Sequence, residues 1–345
     1  PHGWWHVMTA LVPVLWVDRA YAAALPDAPP LIMRRATDRV VGGLAFVLTH
    51  AFHRSVDVRW RERMPARDTP VLIVANHGNG FVDPIVVAGA LRRLPRFLAK
   101  ASLWKVAVAR PFLALAGVLP VYRSADGDRT TDNRSIFEAC HRDLANGSTV
   151  AIFPEGTTGD RAGLDRVRSG AARIALGAIR AAPELRIVPI GLAFESRIET
   201  RSRAVVMFGE PIEVARFATA ADADAPEPDR EAVRALTDEI TAALEAVSPT
   251  FSSVDEREIL RAAARTERND ASRGGRAPFG DVEVVARSVA AGYPGRRDAV
   301  IERYRSYATR LTLVGLDDDM VHRGRTPWWR LALSILALVF GGALL

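Results

Sequence analysis

The chain is nearly without cysteine. Among 345 residues Cys140 stands alone, so no intrachain disulfide and no cysteine-built metal site can form. The glycine-rich phosphate loops are missing too. Neither GxxxxGK nor GxGxxG occurs, which sets aside Walker-type and dinucleotide-fold phosphate binding. No GxSxG elbow is present, so the chain has no serine placed as a hydrolase nucleophile. Internal repeats and low-complexity tracts are also absent. Charge is plentiful but unbalanced: 46 Lys and Arg against 40 Asp and Glu give a formal net charge of +6. That excess favours anionic partners, whether nucleic acid, anionic lipid or phosphorylated substrate, without choosing among them.

Apolar runs of membrane-spanning length are scarce. A span needs about 20 predominantly apolar residues. Residues 7–17 and 40–52 are apolar but too short, and read either as monolayer-embedded helices or as packing helices. Residues 331–345 carry no charge and follow His322, Arg323, Arg325, Trp328, Trp329 and Arg330. Basic residues and tryptophans beside an apolar run suit an interface anchor with its basic side toward the cytoplasm. The expectation there is a short or truncated hydrophobic segment. A buried C-terminal helix is the alternative.

Between these ends strand-like and helix-like patterns alternate. VLIVA (71–75), RFLAK (96–100), the partly extended GVLPVYR (117–123), STVAIFP (148–154), RIVPIGLAF (186–194) and AVVMFG (204–209) read as strands. Helical spacing fills 134–147, 169–182, 229–247 and 254–268, with Ser169 placed to cap the second of these. Alternation of this kind predicts an α/β domain with a mixed, mainly parallel sheet flanked by helices.

Three constellations carry possible chemistry. In VANHGNGFVDP (74–84) a buried strand runs into His77, two glycines follow, and Asp83 stands before Pro84 like a helix N-cap. An aspartate six residues on can fold back to hold one imidazole nitrogen, leaving the other as a general base. With no serine or cysteine beside it, such a pair suits a substrate hydroxyl as nucleophile. A structural histidine with a capping aspartate has the same spacing, and spacing alone leaves both readings open. In AIFPEGTTGDRAG (151–163) a second strand runs into Glu155, Gly156, Thr157 and Thr158, a turn able to present N–H groups and hydroxyls to a phosphate, or simply a polar turn. The third set is basic: Lys100, Lys105, Arg110, Arg123 and Arg168. Any one of them suits a solvated surface, but Arg123 closes a strand-like run and can grip phosphate bidentately. The seven histidines are scattered. His50 and His53 lie one helical turn apart with no matching carboxylates, so no metal site is expected.

Taken in order, NHGNGFVDP, GVLPVYR, FPEGTTGD and VPIGLAF resemble the four blocks of the glycerolipid acyltransferase family, the lysophosphatidate and glycerol-3-phosphate acyltransferases. The likeness covers about 71–214. It implies that His77 deprotonates the acceptor hydroxyl and Asp83 supports it. It implies that Arg123, Glu155, Gly156 and Thr157, with Lys100, bind the phosphorylated acceptor, and that Pro189 and Gly191 lie in the acyl-donor region. It implies no cofactor or metal, an acyl-CoA or acyl carrier protein thioester as co-substrate, and membrane lipids but no nucleic acid as partners. The implied location is the cytoplasmic face of the cell membrane. The expected organisation is N-terminal membrane-associated helices over 1–60, the catalytic domain over 61–250, a helical extension over 251–327 and a hydrophobic membrane segment over 328–345. One departure stands out. Five residues separate His77 from Asp83 where four are commonest, as in a branch that includes glycerol-3-phosphate acyltransferases. The implied acceptor is 1-acyl-glycerol 3-phosphate. Glycerol 3-phosphate, dihydroxyacetone phosphate or a lysophospholipid are the alternatives within the class, and a non-enzymatic membrane-bound role lies outside it.

Overall fold

The computed structural model describes residues 31–80, 82–91, 94–106, 113, 117–121, 134–159, 161–196, 199, 201–218, 228–271, 276–292, 294–313 and 321. The expected helix at 7–17, Arg110, Arg123 and the hydrophobic segment 328–345 lie outside these residues.

The strands are β1 (Ser55–Arg59), β2 (Val71–Ala75), β3 (Arg96–Lys100), β4 (Leu119–Val121), β5 (Thr149–Ile152), β6 (Arg186–Phe194), β7 (Arg203–Phe208) and β8 (Ile212–Glu213). They form one eight-stranded sheet in the order β1-β7-β6-β2-β5-β3-β4, with β8 on β6. β6, β2, β5, β3 and β4 run parallel, while β7 and β8 meet β6 antiparallel. This is the expected mixed, mainly parallel sheet. β2 is buried along its whole length, as a strand covered on both faces must be, and so it reads as a continuous apolar run.

The helices are α1 (Leu31–Phe52), α2 (Val82–Leu91), α3 (Arg134–Ala145), α4 (Gly170–Ala178), α5 (Arg230–Val247), α6 (Val254–Ala271), α7 (Phe279–Ala290) and α8 (Pro294–Leu313). Alternate residues of β2 divide between two cores. Leu72 and Val74 pack with Cys140, Leu144, Leu176 and Leu236 of α3, α4 and α5. Val71, Ile73 and Ala75 pack with Ala45 of α1 and Val86, Val87 and Leu91 of α2. Cys140 is fully buried, and burial pushes its thiol up to about 12. It is a core residue with no thiolate to offer.

Two observations bear on the expected boundaries. β1 belongs to the sheet, paired along its whole length with β7, so the α/β unit starts before residue 61. The extension after residue 250 is helical over its described residues and packs on the sheet. Phe279 and Val282 of α7 and Leu260 of α6 close a third core over Val205 and Met207 of β7. Ser169 directly precedes α4, but its backbone is already helical (φ −69°, ψ −1°) and its side chain makes no capping bond. By contrast the Asp229 carboxylate accepts from the N–H groups of Glu231 and Ala232 and caps α5.

No helix among the described residues is long and apolar enough to cross a membrane. α1 carries the run at 40–52. From Gly43 on, one side of it packs on α2 through Ala45 and Thr49, while Leu44, Phe46 and Val47 stay exposed.

Candidate active site

Parallel register builds the site. Val74 of β2 stands beside Ile152 of β5. Three residues further, at the C-terminal ends where open α/β sheets hold ligands, the same register sets His77 beside Glu155. The His77 N–H donates to Glu155 Oε1 at 2.6 Å, and the Asp165 N–H donates to Oε2 at 2.9 Å. Both oxygens of this buried carboxylate are therefore engaged by backbone. Burial raises its proton affinity, and the Asp165 and His77 N–H groups offset that only in part. Glu155 lashes the two site loops together.

Asn76 does the same toward β6. Its Nδ2 donates to the Leu192 carbonyl at 3.0 Å and its Oδ1 accepts from the Leu192 N–H at 2.6 Å. The amide thus imitates one more residue of strand pairing where β2 has already turned away. Each such bond contributes about 1 kcal/mol net.

His77 and Asp83 meet. His77 Nδ1 lies 3.0 Å from Asp83 Oδ2, with 12% of the histidine side chain exposed and none of the aspartate. An ionised carboxylate only accepts, so Nδ1 carries the proton and Nε2 is the nitrogen left for substrate. The same Oδ2 accepts from the N–H groups of Gly78 and Asn79 at 2.8 and 2.7 Å. This corrects the N-cap reading of Asp83. α2 already begins at Val82, Asp83 lies in its first turn, and the carboxylate folds back onto the loop before the helix instead of capping it. The His77 ring also stacks on Phe153, centroids 4.1 Å apart and planes 17° off parallel. Carboxylate and ring together hold the imidazole in one orientation.

The cleft over this pair is lined by Asn76, His77, Gly78, Glu155, Gly159, Arg161, Gly163, Leu164, Ser248 and Pro249. Arg161, Asp165 and Ser248 had not been singled out by sequence. Arg161 is the cationic side chain of the lining, 57% exposed and paired with Asp165 at 2.5 Å. Its loop is held from outside: the Phe251 N–H donates to the Ala162 carbonyl, and Arg257 Nη1 to the Arg161 carbonyl. Only the GDR run beside the FPEG turn hinted at Arg161. Ser248 and Pro249 arrive from the end of α5, and no local signal marks them.

Of the other candidate residues, Gly156 and Thr157 sit beside this centre and Lys100, Pro189 and Gly191 lie outside its lining. Gly156 adopts φ +68°, where a side chain would be strained and would press on Arg168. Thr157 donates to Asp165 Oδ2 at 3.0 Å. Lys100 ends β3 and is outside the lining. Pro189 is buried in β6 at the gap where pairing with β7 stops and pairing with β8 begins, so its missing N–H is not needed there. Gly191 lets the Val247 carbonyl approach so closely that a Cβ would lie 1.8 Å from that oxygen. Both are packing positions outside the cleft lining. The two neighbouring histidines diverge: His50 is exposed and His53 buried. Among the described residues no three His, Cys, Asp or Glu side chains cluster as metal ligands.

The acyltransferase family model matches residues 55–193. The chain is 24% identical over 324 residues to glycerol-3-phosphate O-acyltransferase 1 of Saccharomyces cerevisiae, covering 69% of this chain and 42% of that one. It is 32% identical over 202 residues to glycerol-3-phosphate O-acyltransferase 2 of the same yeast, covering 56% and 26%. It is 28% identical over 170 residues to a chloroplastic 1-acyl-sn-glycerol-3-phosphate acyltransferase of Brassica napus, covering 48% and 45%. The chain thus spans from about a quarter to under half the length of these relatives. A crystal structure of the 1-acyl-sn-glycerophosphate acyltransferase of Thermotoga maritima aligns with 68% of this chain and 86% of its own, at 16% identity and a TM-score of 0.42.

Proposed function

Because this chain belongs to the glycerolipid acyltransferase family, we propose that it transfers a fatty acyl group from an acyl-CoA or acyl carrier protein thioester to the hydroxyl of a glycerol-phosphate acceptor, 1-acyl-glycerol 3-phosphate first. One observation carries this reading. The Nδ1 of His77 is tied to a fully buried carboxylate beside the cleft, and the serine of the cleft lining, Ser248, makes no hydrogen bond to His77 among the described residues. The acceptor oxygen attacks the thioester carbonyl as Nε2 takes its proton. The C–O bond forms and the C–S bond breaks, and the departing thiolate takes the proton back from the imidazolium. Asp83 steadies that imidazolium, and general-base help of this kind contributes about 10²- to 10⁴-fold. Arg161 supplies positive charge at the cleft for the acceptor phosphate, and Arg123 is proposed for the same group from its place in the second block. The exposed Leu44, Phe46 and Val47 of α1 support seating on the cytoplasmic face of a membrane, where both substrates partition.

Glycerol 3-phosphate is the second reading. The two yeast relatives are named for it, and they match more of this chain than the plastid one does. The full chain, reconstituted in anionic vesicles, should be given radiolabelled acyl-CoA or acyl carrier protein with 1-acyl-glycerol 3-phosphate, glycerol 3-phosphate, dihydroxyacetone phosphate and neutral lysophospholipids in turn. Label in the first supports the main reading, and label in the second alone replaces it. No labelled ester with any acceptor rejects both.

A further inference from the structure

Among the described residues, protein groups satisfy only half of the carboxylate that orients His77. Asp83 is fully buried, and its Oδ2 receives three contacts. Its Oδ1 is buried as well, yet no donor reaches it among the described residues. A buried carboxylate oxygen without a donor is unfavourable enough that native proteins rarely leave one dry.

A second group with the same deficit lies at the end of the neighbouring helix α1. His53 follows the last residue of α1 and is 6% exposed, and neither Nδ1 nor Nε2 has a hydrogen-bond partner among the described residues. Helix packing brings the end of α1 close to the start of α2. The Thr49 hydroxyl donates to the Ala45 and Ile85 carbonyls, and a Cβ on Gly89 would meet that hydroxyl at 2.8 Å. Ala45 and Thr49 therefore lie against Gly89 and Ile85, and the helices run antiparallel. One turn beyond Thr49 comes His53. Reading α2 back from Ile85 comes to Asp83. The Asp83 charge acts on the His53 ring, as does His50 from α1. The Ser202 backbone, before β7, also favours the charged ring but meets neither nitrogen in hydrogen-bond geometry. Burial outweighs these and lowers the proton affinity of His53. Burial thus favours the neutral ring, which has one N–H to give and one lone pair to receive.

We propose that His53 is a positioning residue for acyl transfer, joined to Asp83 Oδ1 through one ordered water and so fixing the carboxylate that orients His77. This rests on the acyltransferase reading above. His53 lies outside the 55–193 match, just past the end of the helix whose other side is exposed and apolar. The chain His53, water, Asp83, His77 ties that helix to the reacting nitrogen. The rival is a packing role, since the ring tilts over Phe194 with centroids 5.4 Å apart.

Three variants of the full chain separate the two. His53→Phe keeps the ring over Phe194 and removes both nitrogens, His53→Gln keeps a hydrogen-bonding end, and Asp83→Asn removes the charge. His53→Phe should lower kcat about 10-fold with KM within about 2-fold, and His53→Gln should recover most of it. In an Asp83→Asn background the same His53→Phe change should cost less than about 2-fold, because the group it acts through has gone. Equal losses in both backgrounds, or an unchanged kcat, overturn the proposal. If His53→Phe does not fold, His53→Leu takes its place. A readout without turnover stands beside these. The His77 Nδ1–H proton should give a slowly exchanging downfield resonance in the parent and in His53→Gln, and exchange faster in His53→Phe. If no acceptor is acylated but the resonance follows this pattern, the function falls and the positioning role stands. An unchanged resonance sinks the positioning role whatever the activity.

Discussion

Two groups of buried or half-buried carboxylates pack around this one sheet, and they are held by opposite means. Beneath α6 and α7, each carboxylate is met by arginine. Glu283 is fully buried and 2.6 Å from Arg261. Glu195 is gripped at 2.8 and 2.9 Å by two nitrogens of Arg203 and at 3.1 Å by Arg265. At the cleft, Glu155 and Asp83 are met by backbone N–H groups, with one imidazole added. A guanidinium neutralises the charge it holds. Backbone dipoles fix the position of a carboxylate but leave most of its charge to act on a neighbour. The first arrangement suits fastening helices to strands. The second suits stabilising a proton that arrives on His77 only during reaction.

The strongest way to break this contrast is at the histidine. His77→Ala should lower kcat by about 10³-fold, within the range for loss of a general base, with urea stability within about 0.5 kcal/mol of the parent. Near-normal turnover would remove His77 from the chemistry. The arginine-held group should answer in the reverse sense. Arg261→Met leaves Glu283 buried without its cation and should destabilise the fold by about 3–5 kcal/mol, with kcat of the folded fraction within about 2-fold. Loss of kcat at unchanged stability would mean that this group serves the site after all.

The same contrast explains what could be read in advance. β2 and β6 were legible to the residue, because a strand buried on both faces is an unbroken apolar run with turn residues at its ends. His77 and Asp83 were half legible: they end one short loop, but spacing left open whether Asp83 holds His77 or caps a helix, and only the four-block resemblance favoured the pair. β1 was not legible, since SVDVR alternates apolar with charged residues and its pairing partner β7 lies some 150 residues away in sequence. The roles of Glu155 and Asn76 were hidden for a related reason. Each polar group is used by backbone from another strand or loop, and no spacing rule shows where that backbone will be. Ser248 and Pro249 were hidden further still, because they become a cleft wall only once α5 has packed on β6.

Glu155→Gln tests whether position or charge matters at the cleft. The amide keeps one acceptor oxygen but turns an NH₂ toward the N–H of either His77 or Asp165. One backbone bond should be lost, with stability down by about 1–3 kcal/mol and kcat down about 10-fold as the His77 loop loosens. A drop in stability with kcat unchanged would show that the His77 loop is held well enough by Asn76 and Asp83.

The smallest effect is the dependence of stability on pH, and its sign differs between the two groups. For Glu195, burial raises the proton affinity, but Arg203, Arg265 and Arg276 outweigh it and the net shift is downward. The unfolded chain then binds that proton more readily than the folded one. The contribution of Glu195 is fully present above the ordinary glutamate value of about 4.5 and is lost as pH falls below it. For Glu155, burial dominates and the folded value lies above the ordinary one. The folded state now binds the proton more tightly. Its contribution is fullest below about pH 4.5 and declines as pH rises through the raised value. Glu195→Gln should therefore flatten the acid limb of a stability–pH curve below about pH 4.5. Glu155→Gln should remove a shallow decline just above it. If the two variants flatten the same limb, the carboxylates are not held in the two different ways that the arginines and the backbone N–H groups imply.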